Sequence, residues 1–90
     1  MIHMHCRLRV HDFDVWKAAM DSSTDDQARS GLKLVQLWRG TDDPQLVFLI
    51  LEVHDQEKAR QHLNPDDVKR SSETAGVLEF DWDFVERILR

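Results

Sequence analysis

The chain of 90 residues is short of several things that would have fixed its chemistry. It has one cysteine, Cys6, so an intrachain disulfide is excluded and a reducing compartment fits. There is no Cys-x-x-Cys pair, Gly-rich phosphate loop or Gly-x-Ser-x-Gly elbow, and no cofactor is expected. Basic residues are outnumbered, with a formal net charge of −5 and no Lys/Arg stripe. Nucleic-acid binding, which needs clustered cations to displace counterions, is therefore not expected. The longest apolar run, Leu46 to Leu51, is too short to cross a bilayer, and Met1-Ile2-His3-Met4-His5 lacks the core of a signal peptide. These absences point to a cytoplasmic protein with no membrane partner.

What is present is globular: 41% hydrophobic and 32% charged residues. One domain over residues 1–90 is expected. A chain this short buries only about 60–65% of its unfolded surface, so association with a second copy would add burial.

The apolar pattern sets out the elements. Ile2, Met4, Cys6, Leu8 and Val10 alternate with His3, His5, Arg7 and Arg9, the period of a strand with one apolar face. In that pattern Cys6 reads as a buried, inert thiol. Asp12 is placed as a helix N-cap, and Phe13, Trp16 and Met20 follow as a helical stripe. Ser22-Ser23-Thr24 interrupts the helix, a short second turn runs to Arg29, and Gly31 closes it. Leu32–Arg39 and Leu46–Val53 read as two strands joined by a turn that contains Pro44. Val47-Phe48-Leu49-Ile50-Leu51 is apolar on both sides, as in a central strand covered on both faces. Asp55 caps another helix, Asn64-Pro65 restarts it, and Gly76 ends it before the alternating run from Val77 to Val85.

The order is therefore βαββαβ, an α+β ferredoxin-like domain with a four-stranded antiparallel sheet of order 4-1-3-2 and helices on one face. In that order the last strand lies beside the first. The acidic row Glu79, Asp81 and Asp83 would then face the basic row of the first strand, a favourable cross-strand pairing. The two-sided third strand, together with Leu78, Phe80, Trp82 and Phe84 on the last, predicts a homodimer.

Candidate site residues come next. His3 and His5 lie on one strand face about 6.5–7 Å apart, and with Glu52 or His54 they have the donor types of a metal site. A solvated strand start is the simpler reading, and no metal is expected. Arg7 and Arg9 suit either an anionic ligand group or the neighbouring carboxylates. Trp38, near a strand end, is the better aromatic wall for a pocket, whereas Trp16 reads as core. His62 beside Leu63 can face a cavity between helix and sheet as a general base. The contacts expected for a small organic ligand are Trp38, His62, His5 and Arg7. Asp42, Asp43, Asp66 and Asp67 fit a turn and a helix N-terminus.

Val10-x-Asp12-Phe13-Asp14-x-Trp16-Lys17, Arg29-x-Gly31, Asp42-Asp43-Pro44, Asp55-x-Glu57-Lys58-Ala59-Arg60 and Ala75-Gly76-Val77 together resemble the small dimeric α/β-barrel proteins. That superfamily includes the antibiotic-biosynthesis monooxygenases and many members of unknown function. The resemblance implies a homodimer with facing sheets and a small cavity between sheet and helices. Its best-known enzymes oxidise aromatic polyketides or degrade haem, using Asn, Trp, His or Tyr in the cavity. This chain has no tyrosine, and its one asparagine, Asn64, is placed as a helix cap. Three functions follow: a barrel that binds a small organic ligand, a cofactor-independent monooxygenase acting on an aromatic or quinol substrate, or a structural or regulatory interaction module.

Overall fold

The computed structural model describes residues 1–89, the side chains of Asp67 and Ser71 aside, so Asp67 lies outside what is described below. Its elements run β1 (Ile2–Val10), α1 (Phe13–Ser22), α2 (Thr24–Arg29), β2 (Leu32–Arg39), β3 (Leu46–Val53), α3 (Gln56–His62), α4 (Pro65–Ala75) and β4 (Val77–Glu86). The four strands form one antiparallel sheet in the order β2-β3-β1-β4, the expected 4-1-3-2 read from the other edge. This is the ferredoxin-like α+β fold, with each crossover helix split in two and all helices on one face. No helix among the described residues is long and apolar enough to cross a membrane.

The helix breaks follow from local chemistry. Asp12 Oδ1 accepts hydrogen bonds from the backbone N–H groups of Asp14 and Val15, satisfying two orphan donors at the start of α1. Asp55 does the same for Lys58 at the start of α3. The Asn64 carbonyl accepts the first bond of α4, from Val68 N–H, and Pro65 opens that helix where no N–H is needed. Gly31 closes α2 at φ 72°, and a Cβ there would stand 2.9 Å from Asp55 Cβ, so conformation and space both demand glycine.

The sheet divides the apolar residues between its faces. Met4, Cys6, Leu8 and Val10 of β1 and Val47, Leu49, Leu51 and Val53 of β3 are buried under the helices with Trp16, Leu32 and Ala59. Register sets Cys6 between Leu49 and Trp82, and Leu8 between Val47 and Phe80. Phe80, Trp82 and Phe84 therefore pack against this core. Phe84 also lies under the Arg60 guanidinium of α3, at 4.8 Å. The aromatic row of β4 thus lies on the helix side and not on the uncovered face. The reason is strand alternation: with Glu79, Asp81 and Asp83 in register with Arg9, Arg7 and His5 on the uncovered face, the alternate residues point the other way. Leu78 falls at the register shift beside Arg9 and Val10 and stays exposed.

The uncovered face carries His3, His5, Arg7 and Arg9, with Leu46, Phe48 and Ile50 of β3 and Trp38 of β2 beside them. Register sets Trp38, Phe48, Arg7 and Asp81 in one row across four strands, and Gln36, Ile50, His5 and Asp83 in the next. Phe48 and Ile50 are half-buried, and Trp38 is 60% exposed.

Candidate ligand site

A cavity of about 220 Å³ lies between the sheet and the helices. Its floor is Met4, Cys6 and Leu8 of β1 with Leu49 and Leu51 of β3. Trp16 and Met20 of α1, Leu63 and Val68 beyond α3, and Phe80 of β4 form its walls. Polar groups gather at the rim, where Ser23, Asp26, Gln27, His62 and Ser72 stand. This arrangement is the ordinary one for binding small molecules: apolar surface to desolvate the ligand and a few polar groups to orient it.

Cys6 sits in the floor, buried, and burial pushes its thiol up to about 12. Without a cation to stabilise a thiolate it is a small apolar surface and not a nucleophile. Trp16, only 3% exposed, is core and cavity wall at once. Gln27 Nε2 donates to Met20 Sδ at 2.8 Å, joining α2 to α1 at the edge of the cavity.

The four candidate contacts separate into two groups. His62 lies at the rim of the helix-side cavity, on an exposed turn of α3. Trp38, His5 and Arg7 lie together on the uncovered face, gathered around Phe48. The His5 and Phe48 rings are 6.3 Å apart, and Trp38 and Arg7 are the register partners of Phe48 on either side. Trp38 Nε1 donates to Gln36 Oε1 at 3.3 Å. No single pocket can use all four residues, since the sheet separates them.

The charged residues of the uncovered face are only partly paired. Arg9 donates to Asp43 at 2.6 Å and lies 3.8 Å from Glu79. The hydrogen bond from Arg9, then one from the backbone N–H of Gln45, holds the Asp43 carboxyl below the usual carboxylate range. Arg9 thus takes Asp43 of the β2–β3 turn as its main partner, a contact spanning 34 positions that strand alternation does not reveal. Arg7 makes no ion pair among the described residues. His54 and Glu52 lie 3.3 Å apart and His3 is the register partner of Glu52. No group of three or more His, Cys, Asp or Glu is placed to hold a metal ion among the described residues.

No family model matches the chain, and no curated protein does. Solved structures match its fold over nearly their whole length. One from Bordetella bronchiseptica, assigned as an antibiotic biosynthesis monooxygenase, is 16% identical with a TM-score of 0.73, covering 98% of this chain and 97% of that one. SnoaB, a cofactor-independent oxygenase from Streptomyces nogalater, is 14% identical with a TM-score of 0.71, covering 99% of this chain and 94% of that one. A further antibiotic biosynthesis monooxygenase is 12% identical with a TM-score of 0.66, covering 99% and 100%. The chain therefore has the ferredoxin-like fold of the antibiotic-biosynthesis-monooxygenase structures. At these identities the likeness concerns fold and not chemistry.

Proposed function

We propose that this chain is a homodimeric α/β-barrel protein that binds a small, mainly apolar organic molecule between its sheet and its helices. The observation that carries the reading is the cavity, with an apolar floor and its polar groups confined to the rim. Its volume sets the ligand's size. A dry apolar cavity of about 150 Å³ holds a benzene ring, so about 220 Å³ suits one ring or a fused pair. The homodimer rests on the uncovered face, where Phe48, Ile50, Leu46 and Trp38 form an apolar surface that a second sheet would cover.

Isothermal titration with indole and 1-naphthol tests the ligand site. Both bind the wild-type chain, and Leu63→Trp, which fills the wall, abolishes binding without unfolding the protein. Absence of binding by either compound contradicts the reading.

A cofactor-independent oxygenase is the second reading, supported by the fold shared with SnoaB and by an imidazole, His62, at the cavity rim. In that case His62 takes a proton from a hydroxyl-bearing aromatic substrate. Oxygen uptake with a naphthoquinol above the uncatalysed rate, falling about 10²-fold or more in His62→Ala, supports it. Binding without oxygen uptake leaves the first reading.

A further inference from the structure

Met20 occupies an unusual place. It lines the helix-side cavity, and it also lines a separate groove of about 560 Å³ bounded by α1, α2 and the outer strand β2. Gln27 and Leu32 are the other residues common to both spaces. Leu32 is a buried strand residue held in the sheet opposite Val53, so it is a fixed wall. Met20 and Gln27 are different: one is an unbranched thioether and the other sits on a helix of six residues with no buried member.

Met20 is only partly buried against the core, and its tie to α2 is weak. Gln27 Nε2 donates to Met20 Sδ, and a thioether is a poor acceptor. No side chain caps α2, because the Ser23 hydroxyl donates backwards to the Met20 carbonyl. A six-residue helix with no side-chain N-cap and no buried residue is held mainly by its packing against α1 and β2.

We propose that Met20 and Gln27 form a movable partition that sets the length of ligand the protein accepts. Closed, the pair limits the site to the cavity and to molecules of one or two rings. When the Met20 side chain turns aside and Gln27 releases it, the cavity joins the groove toward Lys33 and His54, and a molecule of three rings fits across both. The inference rests on the reading of the cavity as a ligand site and adds the residues that decide ligand size.

The test is titration calorimetry with indole and with 9-anthracenemethanol on the wild-type chain and three variants, Met20→Ala, Gln27→Ala and Leu63→Ala. Circular dichroism melting checks that each is folded. Wild-type protein is expected to bind indole and to bind the three-ring probe at least about tenfold more weakly. Met20→Ala and Gln27→Ala should each tighten the three-ring probe by about tenfold or more, the range that pocket-wall changes reach. Leu63→Ala enlarges the cavity at a wall that the groove does not share and should not. If Leu63→Ala admits the three-ring probe equally well, the effect is general enlargement and the partition is overturned. The same holds if the wild-type chain already binds the three-ring probe as tightly as indole. If indole binds and neither partition variant changes the three-ring affinity, the partition fails while the ligand site stands. If no protein binds either probe, the ligand site itself fails and the partition with it.

Discussion

Leu49 and Ile50 are neighbours on β3, yet they belong to different parts of the molecule. Leu49 is 2% exposed, packed beneath the helices opposite Cys6. Ile50 is half-buried on the face that no helix covers, opposite His5. The same contrast separates Trp16, at 3% exposure inside the core, from Trp38, at 60% on the open face. The helix side holds a half-open cavity with a mainly apolar lining and a few polar groups, among them Ser23, Asp26, Gln27, His62 and Ser72. The open side mixes Trp38, Phe48 and Ile50 with charged rows of both signs, a composition closer to an interface than to a core. In the proposed reading one sheet presents a ligand face and a partner face, and the third strand serves both.

Substitutions on opposite faces should break that symmetry in opposite ways. Leu49→Asp puts a carboxylate in the core with no partner, a cost of about 4 kcal/mol or more, a large share of a small domain's stability. Circular dichroism should show a largely unfolded chain. Ile50→Asp should leave a folded monomer, visible as native ellipticity with halved mass in sedimentation. Trp16→Ala should cost about 3–5 kcal/mol in urea unfolding by opening a large cavity. Trp38→Ala should leave monomer unfolding nearly unchanged and weaken the dimer by about 2 kcal/mol, some thirtyfold in dissociation constant.

Two smaller effects separate the faces by their titratable groups. Cys6, on the ligand face, is displaced from 9.0 to about 12, so its thiolate population in mildly alkaline buffer falls about a thousandfold. Iodoacetamide should label it far more slowly in the folded chain than in urea. A neutral thiol in the fold also means that stability is full below pH 9.0 and declines as the pH rises toward about 12, because the unfolded chain loses its proton first. Asp43, on the partner face, runs the other way. Its carboxyl is held low by Arg9, so the stability it lends is present above the ordinary carboxylate range and is lost as the pH falls through the lowered value. Asp43→Asn should be slightly less stable than wild type at neutral pH, with the gap closing in strong acid. The exposure of the pair keeps this the smallest of the effects.

Local signals carried most of the fold. The bounds of β2 and β3, the caps at Asp12 and Asp55 and the stops at Gly31 and Gly76 all depend on near neighbours in sequence, and the structure places them where alternation and capping chemistry do. The basic and acidic rows of β1 and β4 also point to the pairing of two strands some 70 positions apart. The observed register, with strand alternation, turns Phe80, Trp82 and Phe84 toward the helices. The site was less legible. Trp38, His5 and Arg7 share a face, while His62 is on the other, and only the packing of α3 over the sheet decides this. The Arg9–Asp43 pair and the Met20–Gln27 contact join segments whose distance apart no periodicity encodes. Each arises where a turn or a short helix folds back on the sheet.

The division between a ligand face and a partner face meets its most direct test in sedimentation equilibrium of the wild-type chain alongside Ile50→Asp at micromolar concentration. The predicted result is a wild-type dimer and a folded Ile50→Asp monomer. A wild-type chain that sediments as a stable monomer, with its open face left to solvent, would contradict the account.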